Sequence, residues 1–172
     1  WVIFPEKING KFAVLHSISP KIQIDYLDDL QFNNYIPIKS CHRFTSRENC
    51  WDNMVRGVGP SPIKTKDGWL IIYHAMSNQD SSKYKLGAMM LDYNDPTKIL
   101  YRLPYPLLEP DAKYENQGFK PGITYACGAV VVDDRLCIYY GAADTVVCVA
   151  STNYNQFLNT LKSSKPIGLE YV

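Results

Sequence analysis

Three segments of this chain carry one signature, and that repeat limits the possible folds more than any other feature. They run from Pro5 to His16, from Pro62 to His74 and from Gly128 to Gly141. Each reads as a short strand, a tight polar turn, then an apolar and aromatic strand. Asn9-Gly10 and Asp67-Gly68 are strong hairpin turns, because Asn and Gly accept positive φ at low steric cost. Asp133-Asp134 is a weaker version of the same turn. The turns recur about 60 residues apart. A strand repeat with this period suggests propeller blades.

Further strand candidates follow each hairpin. Lys21 to Tyr26 alternates polar and apolar residues, as a half-buried strand does. Tyr84 to Leu91 and Asp144 to Ala150 are the other two. Helix signals are few. Asp95-Pro96-Thr97-Lys98-Ile99 could form one turn with Asp95 as its cap, and Asn155 to Leu161 a short terminal helix. The expected fold is all-β: about three four-stranded antiparallel blades of a propeller, at residues 1–50, 51–110 and 111–172, in a single partial domain. Propellers close with four to eight blades. Further N-terminal blades are therefore expected from a longer protein or from a complementing chain.

Charge and apolar content exclude several functions. The formal net charge is +1, and no basic run offers a nucleic-acid footprint. No apolar stretch approaches the roughly 20 residues that cross a bilayer. The start at Trp1 lacks the pattern of a secretory leader. Five cysteines, at 41, 50, 127, 137 and 148, show no metal-ligand spacing. They read as small buried residues in a reducing compartment, which points to the cytoplasm. The 13 tyrosines suit strands and sugar-binding surfaces alike. Nucleotide loops and common hydrolase motifs are absent.

A resemblance covers Phe4 to about Leu161. Phe4-Pro5-Glu6-Lys7-Ile8-Asn9-Gly10-Lys11, Gly57-Val58-Gly59-Pro60-Ser61-Pro62-Ile63-Lys64-Thr65 and Gly68 to His74 are its first blocks. Tyr84-Lys85-Leu86-Gly87-Ala88, Tyr114-Glu115, Cys127-Gly128-Ala129 and Tyr139 to Thr145 follow in order. Together they resemble glycoside hydrolase family 130, the five-bladed β-mannoside phosphorylases and their β-mannosidase-like kin. The resemblance implies a β-mannoside phosphorylase that inverts configuration and releases mannose 1-phosphate. Its partners would be a mannose-containing oligosaccharide and inorganic phosphate as co-substrate, with no cofactor and no metal. A homo-oligomer is possible. The alternatives are an inverting β-mannosidase using water, or a non-catalytic sugar-binding or assembly fragment. In the family the general acid comes from the N-terminal half, so no catalytic residue is named within this chain.

Phosphate needs cationic donors, and the resemblance gives that role to Lys7 and His74. The bland readings are a Lys7 paired with Glu6 or solvated, and a hydrogen-bonded structural His74. Asp144 follows three small residues and could accept hydrogen bonds from sugar hydroxyls; otherwise it caps its own turn. Tyr84 and Glu115 are candidate sugar contacts, against a strand aromatic and a loop carboxylate. His16-Ser17-Ile18-Ser19-Pro20 lacks the arginine that many members carry after this His. Arg43, Arg47 and Arg56 are possible substitutes. Gly122 stands where many members have Asn.

Overall fold

The computed structural model describes residues 1–18, 21–31, 42–44, 46–163 and 170–171, leaving Ser19, Pro20 and Cys41 of the sequence reading outside. The described chain is three antiparallel sheets. β1 (Val2–Ile3), β2 (Phe12–Ile18), β3 (Lys21–Leu27) and β4 (His42–Phe44) pair in that order. The second sheet holds β5 (Met54–Val58), β6 (Ile63–Thr65), β7 (Gly68–Ser77), β8 (Asp80–Leu91) and β9 (Ile99–Arg102). Here β5 and β6 are two pieces of one inner strand, both paired to β7. The third sheet is β10 (Thr124–Val132), β11 (Arg135–Ala142), β12 (Val146–Asn153) and β13 (Glu170–Tyr171). Two helices, α1 (Lys113–Asn116) and α2 (Tyr154–Ser163), complete the described elements. These are three blades of a β-propeller, as the hairpin repeat predicts.

Local chemistry sets the turns. Asn9 and Gly10 have φ of 52° and 80°, and Asp133 and Asp134 have 47° and 59°. Two successive positive φ values give the tight turn whose twist matches the flanking strands. Gly68, at φ 143°, is required for a second reason: a Cβ there would lie 2.2 Å from the Leu91 carbonyl oxygen. The Asp95 segment is a hydrogen-bonded turn rather than a helix, with Lys98 N–H donating to the Asp95 carbonyl at 2.9 Å. Ile99 then opens β9.

The middle sheet is buried on both faces. Leu70, Ile72, Leu86, Ala88 and Met90 pack toward the third sheet with Leu136, Ile138 and Tyr140. Trp69, Ile71, Tyr73, Ala75, Met89 and Leu91 pack toward the first with Phe4, Leu15, Ile22 and Ile24. Side chains alternate across a strand, so adjacent residues of β7 belong to different cores. Gly68 to Ala75 is therefore one continuous buried run. Each large apolar side chain removed from water contributes about 1.5–3 kcal/mol.

Two polar features lock this stack. Asp52 is fully buried and accepts from Arg47 Nε and Nη2 at 3.1 and 2.8 Å, from Tyr73 Oη at 2.7 Å and from Arg102 Nη2 at 2.8 Å. Arg47 also donates to the Leu103 carbonyl at 2.7 Å. The second feature is His74, 1% exposed. Its Nε2 lies 3.0 Å from the Ala126 carbonyl oxygen in the third sheet. A carbonyl only accepts, so this nitrogen carries the proton. Burial lowers the His74 pKa to about 4, with the Ala126 bond opposing. The imidazole is neutral and bridges two blades.

Three outcomes are expected. Asp52→Ala leaves two guanidinium groups without their buried acceptor and should lower unfolding free energy by about 3–5 kcal/mol, read by urea denaturation of the full-length protein. Glu6→Gln, which breaks the half-exposed bidentate pair with Lys64, should cost less than about 1 kcal/mol. A folded-state pKa below the unfolded value means stability present above pH 6.5 and lost as pH falls toward 4. His74→Gln should therefore flatten the stability profile across that window by on the order of 3 kcal/mol, whereas parallel profiles would show an unshifted imidazole.

Candidate functional site

Where the second and third sheets meet, a cleft of about 270 Å³ is lined by Arg56, Tyr84, Lys120, Ile123, Tyr125 and Asp144. Three strands, a loop and a turn supply these residues. Arg56 is the exposed residue of β5. Tyr84 in β8 is fixed by its backbone: its N–H donates to the Gly122 carbonyl at 2.8 Å, and its own carbonyl accepts from Thr124 Oγ1 at 2.8 Å. Tyr125 comes from the start of β10, and Lys120 from the loop before it. Asp144 sits on the β11–β12 turn.

That turn and the Lys120 loop are sewn together. Lys120 N–H donates to the Ala143 carbonyl at 2.9 Å, and Phe119 N–H to Thr145 Oγ1 at 2.8 Å. Ala143 and Asp144 have φ of 49° and 50°. For residues with a Cβ this left-handed backbone is uncommon and costs about 1 kcal/mol or more each. The surrounding bonds hold it, and the turn delivers the exposed Asp144 carboxylate to the cleft.

Two cations and one carboxylate thus share a cleft with two tyrosines. Burial pushes the Tyr84 phenol pKa up, while the hydrogen-bonded Arg56 pulls it down. The phenol therefore remains a neutral donor beside the guanidinium. Beneath the cleft, His74 stacks on Tyr125 with ring centroids 4.1 Å apart and lies 5.7 Å from the Tyr84 ring. Gly59 makes this seam possible, since a Cβ there would lie 2.0 Å from the Ala126 carbonyl oxygen and 2.8 Å from His74 Cε1.

Of the residues singled out in the sequence, the structure brings Tyr84 and Asp144 into one cleft, with His74 under its floor. His74 itself does not line the cleft: its ring is buried, with Nε2–H donating to the Ala126 carbonyl. The reading of Glu115 is corrected. It is fully buried; Oε2 accepts from the backbone N–H of Asp111 and Ala112 at 2.8 and 2.7 Å, and Oε1 from Tyr140 Oη at 2.7 Å. Its carboxylate holds α1 against β11 and is not offered to a ligand. Lys7 is exposed, with Nζ 4.4 Å from the Phe12 ring centroid, and does not line the cleft. Nor does Glu6 pair with it, being bound to Lys64 instead.

Sequence reasoning missed Lys120 and Tyr125 and named Arg56 only among possible substitutes. A signal for Lys120 exists: it is the one cation in Gly118-Phe119-Lys120-Pro121-Gly122, a loop dense in backbone breakers. Tyr125 shows only as an aromatic on the outward phase of β10.

Residues 1–163 match the family model described as beta-1,4-mannooligosaccharide phosphorylase. The chain is 44% identical over 149 residues to the 1,2-beta-oligomannan phosphorylase of Thermoanaerobacter sp. (strain X514), covering 86% of this chain and 48% of that protein. It is 40% identical over 168 residues to the beta-1,2-mannobiose phosphorylase of Listeria innocua, covering 94% and 45%. A solved structure of the beta-1,2-mannobiose phosphorylase from Listeria innocua with beta-1,2-mannobiose superposes with a TM-score of 0.81 at 38% identity. That match covers 94% of this chain and 46% of that one. The chain spans about half the length of the curated relatives it matches. Motifs, blade architecture and these matches agree: the chain belongs to glycoside hydrolase family 130.

Proposed function

We propose that the protein carrying this chain is an inverting β-mannoside phosphorylase, which splits mannosides with inorganic phosphate and releases mannose 1-phosphate. The observation that carries this reading is that Arg56, Lys120 and Asp144 line one cleft together with Tyr84 and Tyr125. The names of the relatives at 40–44% identity support it. A water-using hydrolase would favour a carboxylate base where this cleft holds cations.

In this reading Arg56 and Lys120 hold phosphate and neutralise its charge. A phosphate oxygen bonds to the anomeric carbon from the face opposite the leaving oxygen. The glycosidic C–O bond breaks, and the leaving oxygen takes a proton from a carboxylic acid. That acid is expected on the part of the relatives that this chain does not span. Asp144 accepts hydrogen bonds from sugar hydroxyls, while Tyr84 and Tyr125 offer apolar ring faces with polar edges. Lys7 enters only on its motif, as a further phosphate contact from the first blade. The neutral His74 acts through position, setting Tyr125 and the seam beneath the cleft. No cofactor is needed besides the phosphate co-substrate. Cys50, Cys127, Cys137 and Cys148 are free thiols, which fits a reducing compartment, and we place the protein in the cytoplasm. Among the described residues no helix is long and apolar enough to cross a membrane.

The full-length protein, incubated with β-1,2- and β-1,4-linked manno-oligosaccharides, should release mannose 1-phosphate only when phosphate is present. Mannose release indifferent to phosphate would overturn the reading in favour of hydrolysis. Each charge-assisted hydrogen bond contributes about 1.5–3 kcal/mol, or roughly 10–100-fold. Lys120→Met should therefore raise the phosphate KM by about tenfold or more with little change in sugar affinity. Asp144→Ala should lower kcat/KM for the mannoside by about 100-fold. An unchanged phosphate KM in Lys120→Met would remove this cleft from the phosphate site.

A further inference from the structure

A second cleft, of about 320 Å³, opens at the tip of the middle blade and has no part in the reaction described above. It is lined by Ser46, Glu48, Asn49, Asn53, Asn78 and Gln79. We propose that it is a distal sugar subsite, which engages mannose units beyond those held between Tyr84 and Tyr125.

The lining selects the ligand class. Four carboxamides and a hydroxyl can each donate and accept, which matches the paired donors and acceptors of a sugar ring. No Lys or Arg lines it and Glu48 is its single charged residue, so it suits a neutral polyol and repels phosphate. The amides are also preorganised. Asn53 Nδ2 donates to Asn78 Oδ1 at 2.7 Å, and Asn78 N–H donates to Asn53 Oδ1 at 2.9 Å. This pair ties the start of β5 to the β7–β8 turn. Behind it, Asn53 directly follows the buried Asp52, which Arg47, Tyr73 and Arg102 hold in place. Asn49, at φ 59°, lies in the same turn, closed by Cys50 N–H donating to Arg47 and Asn53 N–H donating to Cys50. Polar groups held before the ligand arrives lose less entropy on binding.

Position completes the case. Asn53 precedes Arg56 by three residues, about 10 Å at the rise of a β-strand, so a short oligosaccharide seated in the first cleft can reach the second. The middle blade has neighbours on both sides within this chain. Blades outside the chain therefore flank other sheets.

The inference rests on the mannoside reading above, and the test separates the two. Gln79→Ala and Asn53→Ala are made in the full-length protein, and phosphorolysis of mannobiose is compared with that of mannotetraose. Losing one or two neutral hydrogen bonds should lower kcat/KM for the tetraose about fivefold, with the disaccharide unchanged. Equal loss on both substrates, or no loss on either, overturns the subsite. Independently of turnover, mannotetraose should shift the side-chain amide NMR signals of Asn53, Asn78 and Gln79, and mannobiose should not. Shifts without phosphorolysis would keep the subsite and discard the reaction, while unmoved amides with normal turnover would discard the subsite alone.

Discussion

The structure depends on one sheet that is apolar on both faces. Along β7, Trp69, Ile71 and Tyr73 face one blade while Leu70 and Ile72 face the other. A sheet of this kind cannot be exposed on either side without losing several kcal/mol per residue pair. It draws the first and third sheets onto its two opposite faces. The polar groups that penetrate this stack are satisfied with care: Asp52 by two guanidinium groups and a phenol, Glu115 by two backbone N–H groups and Tyr140. Isolated, either carboxylate would be too costly to bury.

The candidate site is a by-product of that stacking. Two adjacent blades meet at the His74–Ala126 bond, and the gap above it becomes the cleft. Gly59 removes the side chain that would hold the blades apart. Tyr84 and Tyr125 close the floor over a neutral imidazole, and the left-handed Ala143-Asp144 turn aims a carboxylate across it. The strain of that turn is held by the Gly118–Lys120 loop, which also brings the second cation. Charge, aromatic wall and rigidity thus come from contacts between blades rather than from any single motif.

The repeat of hairpin turns made the blades legible, because Asn-Gly and Asp-Gly encode their backbone locally. The terminal helix was legible too, running from Tyr154 to Ser163, as was Asp144, whose turn stands out from the small residues before it. What was not legible depends on partners far away in sequence. A histidine at the end of an apolar run reads equally as a ligand or a seam, and the Ala126 carbonyl that its Nε2–H meets lies 52 residues on. Glu115 reads as a loop carboxylate until Tyr140 is seen against it. Lys120 has no periodicity to announce it, and Arg47, a possible ligand contact by type, is committed to Asp52. The short α1 helix was missed because four residues carry too little pattern to register.

The central claim is that the cleft between the second and third blades is where phosphate and mannoside meet. A crystal structure of the full-length protein with phosphate and mannose tests it most directly. The account predicts phosphate oxygens within hydrogen-bonding distance of Arg56 or Lys120, about 2.7–3.2 Å, with a mannose hydroxyl on Asp144. Phosphate bound elsewhere, with this cleft filled only by water, would contradict it.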